Sequence, residues 1–288
     1  MILTRILILS FTLFVLGCVK AYRTSELRVN ATEYSKKIQQ ARLQMKEDYN
    51  EKSEIKAAFE SLEKKFQEPY EEKIGALYKS LDANHTLYNS TLSRVEKLNK
   101  NVFNATSNTK EVISGKDPEF SLVSKNMGLR KTALIELEAQ IDAYNKSSTA
   151  IRDYFANEKI LVIDSKSFFK ESKQQIVLLR NNYKSVRQQI DSLQKAMSGS
   201  DSLRSSKDVA KIDKLDSLLR TIPSRIQNLE VLVKDLESQT RRATLVILVK
   251  EDPKSQMLKN IKAVTKEIQS RGSEFNRIVK EIEGKPNQ

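Results

Sequence analysis

The chain has 288 residues and carries 50 basic against 37 acidic side chains, a formal charge of +13. Seven scattered glycines exclude a glycine-rich phosphate loop, and one cysteine, Cys18, excludes an internal disulfide, so packing alone must hold the fold. Few prolines, no tryptophan and 39% apolar residues match the composition of long helices with coiled-coil-like seams rather than one thick core.

Residues 1–21 read as an export segment. Arg5 precedes an apolar run, Ile6 to Leu16, that is too short for a comfortable membrane span. Two processing routes fit it. Val15-Leu16-Gly17-Cys18 resembles a lipobox, which would lipidate Cys18 and anchor the chain to a membrane. Val19-Lys20-Ala21 offers an ordinary signal-peptidase cut, leaving Tyr22 as the first mature residue. Either route places the protein outside the cytoplasm, secreted or on a cell surface. Five Asn-x-Ser/Thr sequons follow, at Asn30, Asn84, Asn89, Asn104 and Asn145, each a candidate glycan acceptor in a secretory protein.

Residues 22–103 form the first expected helical arm. Leu27, Ala31, Tyr34, Ile38, Ala41 and Met45 open an apolar stripe, and Ile55, Phe59, Leu62 and Phe66 extend it. Pro69 should kink it by removing one hydrogen bond and crowding the preceding turn. The seam resumes at Tyr70 and runs to Val102. Residues 104–127 lack a period and hold Gly115, Asp117 and Pro118, so they predict a loop and the first reversal of the chain.

The second arm covers residues 128–197. Its end is the most regular stretch in the protein: Ile176, Leu179, Tyr183, Val186, Ile190, Leu193 and Met197 are spaced 3-4-3-4-3-4 without a miss. Residues 198–206 form a second loop, with Gly199 placed to cap the helix. The third arm, residues 207–283, repeats the seam from Ile212 to Leu236, is bent by Pro223, and resumes from Met257 to Ile282. Residues 284–288 are a tail.

Three arms of similar length predict an all-α fold, an elongated antiparallel three-helix bundle or coiled-coil rod. It resembles spectrin-like and BAR-like rods in architecture alone. Two four-to-five-residue apolar runs, Ile160 to Ile163 and Leu245 to Val249, interrupt the period. Folding the arms back places Leu161 opposite about Ala243 and opposite about Lys73. Pro69, Tyr70, Leu161 and Leu245 should then meet at one level, as a mid-rod hinge, a hydrophobic plug or a short pairing of extended segments.

Chemistry is sparse. The single histidine, His85, leaves neither a zinc site nor a Ser-His-Asp triad constructible, and no Gly-x-Ser-x-Gly elbow, phosphate loop or EF-hand loop is present. Adjacent acids such as Glu71-Glu72 do not face each other on a helix. The expectation is a non-enzymatic protein without cofactor or metal. Its basic excess lies downstream: residues 23–82 hold 12 basic and 12 acidic side chains, whereas residues 83–288 hold 36 and 25. The expected partner is a protein or acidic glycan at a surface. A lipid-binding helical protein is the alternative, and the mid-rod level is a place for a second copy of the chain to pack. The aromatics occupy seam positions, so nucleic acid is not expected.

Overall fold

The computed structural model describes residues 21–105, 111–113, 119–198 and 206–283. Among these the chain forms seven helices and four short strands. They run in the order β1 (Ala21–Arg23), α1 (Thr24–Glu60), α2 (Lys64–Ala105), β2 (Glu111–Ile113), α3 (Glu119–Asn157), β3 (Leu161–Asp164), α4 (Ser165–Ser198), α5 (Ser206–Leu219), α6 (Ile222–Gln239), β4 (Leu245–Leu248) and α7 (Pro253–Glu283). Two compact units share these elements. The first holds the described residues up to Lys52 together with Lys73–Arg152. The second holds Ser53–Glu72 and the described residues from Asp153 onward.

In the first unit α1, α2 and α3 pack as an antiparallel three-helix bundle. Arg42 of α1 bonds Glu96 of α2 at 2.6 Å and Tyr49 bonds Asp82 at 2.9 Å, so sequence number rises on one helix as it falls on the other. Arg94 pairs with Glu136 and Ser80 with Ser147, which sets α3 antiparallel to α2. The stripes predicted on α1 and α2 are the buried ones: Leu27, Ala31, Ile38 and Met45 face Ile74, Leu81, Tyr88, Leu92 and Val95. β1 pairs with β2, Tyr22 opposite Val112.

The second unit repeats this plan. Lys173 meets Glu237 and Arg180 meets Glu230, so α6 runs back along α4, and Lys211–Glu281 and Arg225–Glu267 set α7 antiparallel to α5 and α6. One apolar core runs through it, from Phe168 and Ile176 through Ile190 to Ile212, Leu229, Met257 and Phe275. The first unit has the order strand, helix, returning helix, strand, helix, and in the second the returning stretch is divided into α5 and α6. In each, the first strand enters its helix directly, whereas residues 114–118 or 249–252 separate the second strand from its helix. In the second unit the paired strands are antiparallel while α4 and α7 are parallel, so residues 249–252 turn the chain. Asp164 caps the junction into α4, where Ser167 N–H donates to Asp164 Oδ1 at 2.8 Å, and at the start of α7 the buried Asp252 lies 3.6 Å from Lys254 Nζ.

The mainly helical, antiparallel packing agrees with the periodicity. The layout of three continuous arms does not. The first arm folds back at Ser61–Glu63, where no glycine or proline stands. Ser61 N–H still bonds Ala57 O at 3.1 Å, and the Gln67 side-chain amide reaches back to Glu60 O at 2.8 Å and to Leu62 O, satisfying carbonyls that the helix end would orphan. Pro69 sits exposed inside the second turn of α2, which accommodates it. The contacts between α2 and α3, Ser80 with Ser147 and Arg94 with Glu136, set a register several residues away from the one that placed Leu161 opposite Lys73.

α3 also begins at Glu119, nine residues before the expected start of the second arm. Asn126 and Arg130 occupy buried stripe positions beside Val123, Ala133 and Leu137, and these two polar residues mask the apolar period there. The third arm divides at Arg220–Thr221, and Pro223 lies at the second position of α6, where its missing N–H is an orphan in any case.

The two apolar runs do meet. Leu161 pairs with Leu248, Val162 with Ile247, Ile163 with Val246 and Asp164 with Leu245. Of the two strands β4 is the interior one: Val246, Ile247 and Leu248 are buried, while Leu161 stands 54% exposed at the edge.

Candidate functional site

Two polar layers tie the helices of the first unit together. In one, Arg130 of α3 is 2% exposed and donates to Asn99 Oδ1 of α2 at 2.6 Å and to Asn30 Oδ1 of α1 at 2.9 Å. Its guanidinium carbon lies 4.5 Å from the centre of the Tyr34 ring. Asn99 Nδ2 donates in turn to Ala31 O at 2.8 Å and Ser35 Oγ at 3.1 Å. Among the described residues no carboxylate forms an ion pair with the cation. Burial therefore lowers the Arg130 pKa, with Tyr34 opposing it, and amide oxygens and a ring face carry the compensation. One arginine thereby joins all three helices at a fixed register.

The second layer is built on Asp48 and His85. Tyr144 O–H donates to Asp48 Oδ2 at 2.7 Å and Ser148 Oγ donates to the same oxygen at 3.3 Å, while Lys52 lies 3.7 Å from Oδ1. Burial, then the Asp48 hydrogen bond, pushes the Tyr144 phenol far above its ordinary range. His85 stacks on Tyr49 with ring centroids 3.6 Å apart, and Tyr49 O–H donates to Asp82 at 2.9 Å. Asn89 on the next turn contacts the imidazole at 3.1 Å.

Burial lowers the His85 pKa below 6.5, against the pull of Asp82. The unfolded chain therefore takes up the proton first. The stabilisation by neutral His85 is whole above about pH 6.5 and is lost as pH falls through the folded value. We expect Tm to drop between about pH 7 and pH 5, with a smaller drop in His85→Gln; equal drops in the two proteins would show that His85 titrates freely.

Cross-helix ion pairs fix the second unit. Asp216 of α5, mostly buried, takes Arg187 of α4 and, at 3.2 Å, Arg220. Lys211 and Glu281 bond at 2.8 Å, which raises the lysine pKa and lowers that of the glutamate. The Lys211–Glu281 contact is exposed, so it sets register more than stability. A shallow groove of about 390 Å³ lies between α1 and α2 in the first unit. Ala31, Thr32, Ser35, Ile38, Gln39, Glu96, Asn99, Lys100 and the half-exposed Phe103 line it.

The sequence-predicted residues are spread through the molecule. Cys18 lies outside the described residues. Asn89, Asn104 and Asn145 are exposed, whereas Asn30 accepts from Arg130 and Asn84 Nδ2 donates to Ser147 Oγ at 2.7 Å and Ala143 O at 3.3 Å. Pro69 is exposed, Tyr70 and Leu245 are half-buried, and Leu161 stands at the strand edge. The Arg130 and Asp48 layers were not expected from sequence. Their one sequence signal is polar residues at stripe positions, with Asn99 between Val95 and Val102 and Arg130 between Asn126 and Ala133. Among the described residues, no group of three or more His, Cys, Asp or Glu is placed to hold a metal, and no helix is long and apolar enough to cross a membrane.

The fold and these layers define a class, a helical protein of two bundled units whose buried polar chemistry ties helix to helix. Compared with protein-family models, curated proteins and solved structures, the chain matches none.

Proposed function

We propose that the protein is exported and acts by binding, as a non-enzymatic helical protein of the cell surface or extracellular space. One observation carries the reading: the buried polar groups serve the scaffold. Arg130, Asn99 and Asn30 join three helices, Asp48 and Tyr144 join two, and Asp216 joins α4 to α5. The unpaired charge points outward, and α4 alone carries seven basic side chains against two acidic ones. A rigid bundle with cationic outer faces is suited to presenting a surface to an acidic partner.

Export is tested on the purified protein from its native host by mass spectrometry of the N-terminus. A lipidated Cys18 or a free Tyr22 supports the proposal, and an intact Met1 would overturn it. In a glycosylating host the same spectra read the sequons. Glycan is expected on Asn89, Asn104 and Asn145. Asn84 should be bare, because the amide nitrogen a glycan would occupy is bonded inside the α2–α3 contact. Full occupancy of Asn84 in the folded protein would contradict this packing.

A further inference from the structure

The second unit carries a concentrated cationic surface where α4 begins and α6 ends. Ser165 N–H donates to Thr244 O at 2.9 Å, and Lys173 donates to Glu237 at 2.7 Å, which brings these two ends together. Lys166 and Lys170 stand on the first two turns of α4. Lys234 lies one turn before Glu237, and Arg241 and Arg242 follow the end of α6 at Gln239. All five of these side chains are exposed, and none makes an ion pair among the described residues. With Lys173 they make six cations against four carboxylates, Asp164, Glu171, Asp235 and Glu237, the last already bonded to Lys173.

The arrangement is linear. Lys166, Lys170, Lys173, Arg180, Lys184 and Arg187 recur along α4 at three-to-four-residue intervals (with Val177 filling one step), and Lys195 lies two turns further on. Lys173, Arg180 and Arg187 turn toward the returning helix and are bridged to Glu237, Glu230 and Asp216. Lys184 and Lys195, which form no such bridges, carry the free charge onward from the cluster. From Lys166 to Lys195 the row spans about 43 Å at 1.5 Å per residue.

We infer that this surface binds an acidic glycan, a linear chain with repeating sulfate or carboxylate groups, laid along α4 and anchored at the Lys166–Arg242 end. Free cations that begin in the cluster at Lys166 and Lys170 and recur along the helix at Lys184 and Lys195 suit an extended polyanion better than a compact anion. Among the described residues of the second unit no aromatic side chain is exposed for bases to stack on. Near the cluster the exposed large apolar residues are Leu161, Val177, Leu178 and Val231, without the aromatic anchors that a bilayer interface favours. This deepens the binding reading above and does not depend on export, so an intact Met1 on a protein that holds glycan would separate the two.

The test uses the full chain and fluorescein-labelled heparin oligosaccharide, followed by anisotropy over a salt series. Lys166→Gln/Lys170→Gln/Arg241→Gln/Arg242→Gln should bind at least tenfold more weakly, with a log–log salt slope shallower by about three to four. A charge-matched control, Lys214→Gln/Lys262→Gln/Lys266→Gln/Lys280→Gln, removes exposed lysines elsewhere in the same unit and should lose less than threefold. Circular dichroism and Tm matching wild type establish that all three proteins are folded. Equal loss in the two variants would reduce the surface to net charge and overturn the proposal, as would absence of binding by wild type at low salt. Tighter binding to phosphatidylserine vesicles or to an oligothymidylate through the same four residues would overturn the glycan assignment.

Discussion

Ile190→Asp is expected to unfold the second unit or leave it molten at physiological temperature. Ile190 is fully buried and belongs to the core formed with Ile212 and Leu215 of α5 and Phe275 and Ile278 of α7. The substitution removes a branched apolar side chain, leaves a partial cavity and places a carboxylate where no cation or donor awaits it. The first two effects alone cost about 2–5 kcal/mol, and desolvating the charge raises the loss above about 4 kcal/mol. A domain's whole stability is typically about 5–15 kcal/mol, so most of it would be gone. Ile190→Val, which trims one methylene, should cost only about 0.5–1.5 kcal/mol. Urea titration followed by circular dichroism reads both variants. A native-like midpoint for Ile190→Asp would mean that the seam from Ile176 to Met197 is not packed as described.

Arg130→Ala should cost the first unit about 3–5 kcal/mol, although it removes no part of the apolar stripe. The variant deletes both charge-assisted donors and leaves Asn99 Oδ1 and Asn30 Oδ1 facing a gap between three helices. Asn99 remains tied to Ala31 O and Ser35 Oγ, so it cannot simply turn to water. Arg130→Met is the informative comparison. It fills most of the volume and carries no charge to desolvate, so its loss should be less than half that of the alanine variant. If alanine costs under about 1 kcal/mol, the arginine is not acting as the pin between the helices. If methionine costs as much as alanine, the hydrogen bonds matter more than the filled space.

The parts of the fold that were legible in the sequence are those written in local spacing. The α4 seam is read directly because its residues contact partners on the same face at every turn, and the buried set on α4 includes Ile176, Leu179, Ile190 and Met197. The two apolar runs announced themselves by breaking the period. Folding the chain about the loop near Ser202 set Leu161 opposite Ala243, five residues from its actual partner Leu248, because the two sides of the loop were taken as equal in length. The hairpin at Ser61–Glu63 left no such mark. The stripe continues through Phe59, Leu62 and Phe66, and the cap is the side chain of Gln67, a residue with no turn signature of its own. The three-residue strands β1 and β2 are too short to show alternation.

What the sequence by itself determined is the class of structure: amphipathic helices, their approximate extents, the irregular segments, and a basic excess concentrated downstream. Those properties follow from 3.6-residue periodicity and composition, which act within a turn or two of each residue. Only the tertiary structure decided that the helices form two bundles of one plan, that Arg130 is a core residue, and that Asn84 is a packing residue rather than an open acceptor. Arg130 finds its partners 31 and 100 residues away, and Asn84 finds Ala143 and Ser147 59 and 63 residues away. A buried polar group is tolerable only where distant chain segments supply its hydrogen bonds, and no local pattern records where those segments will be.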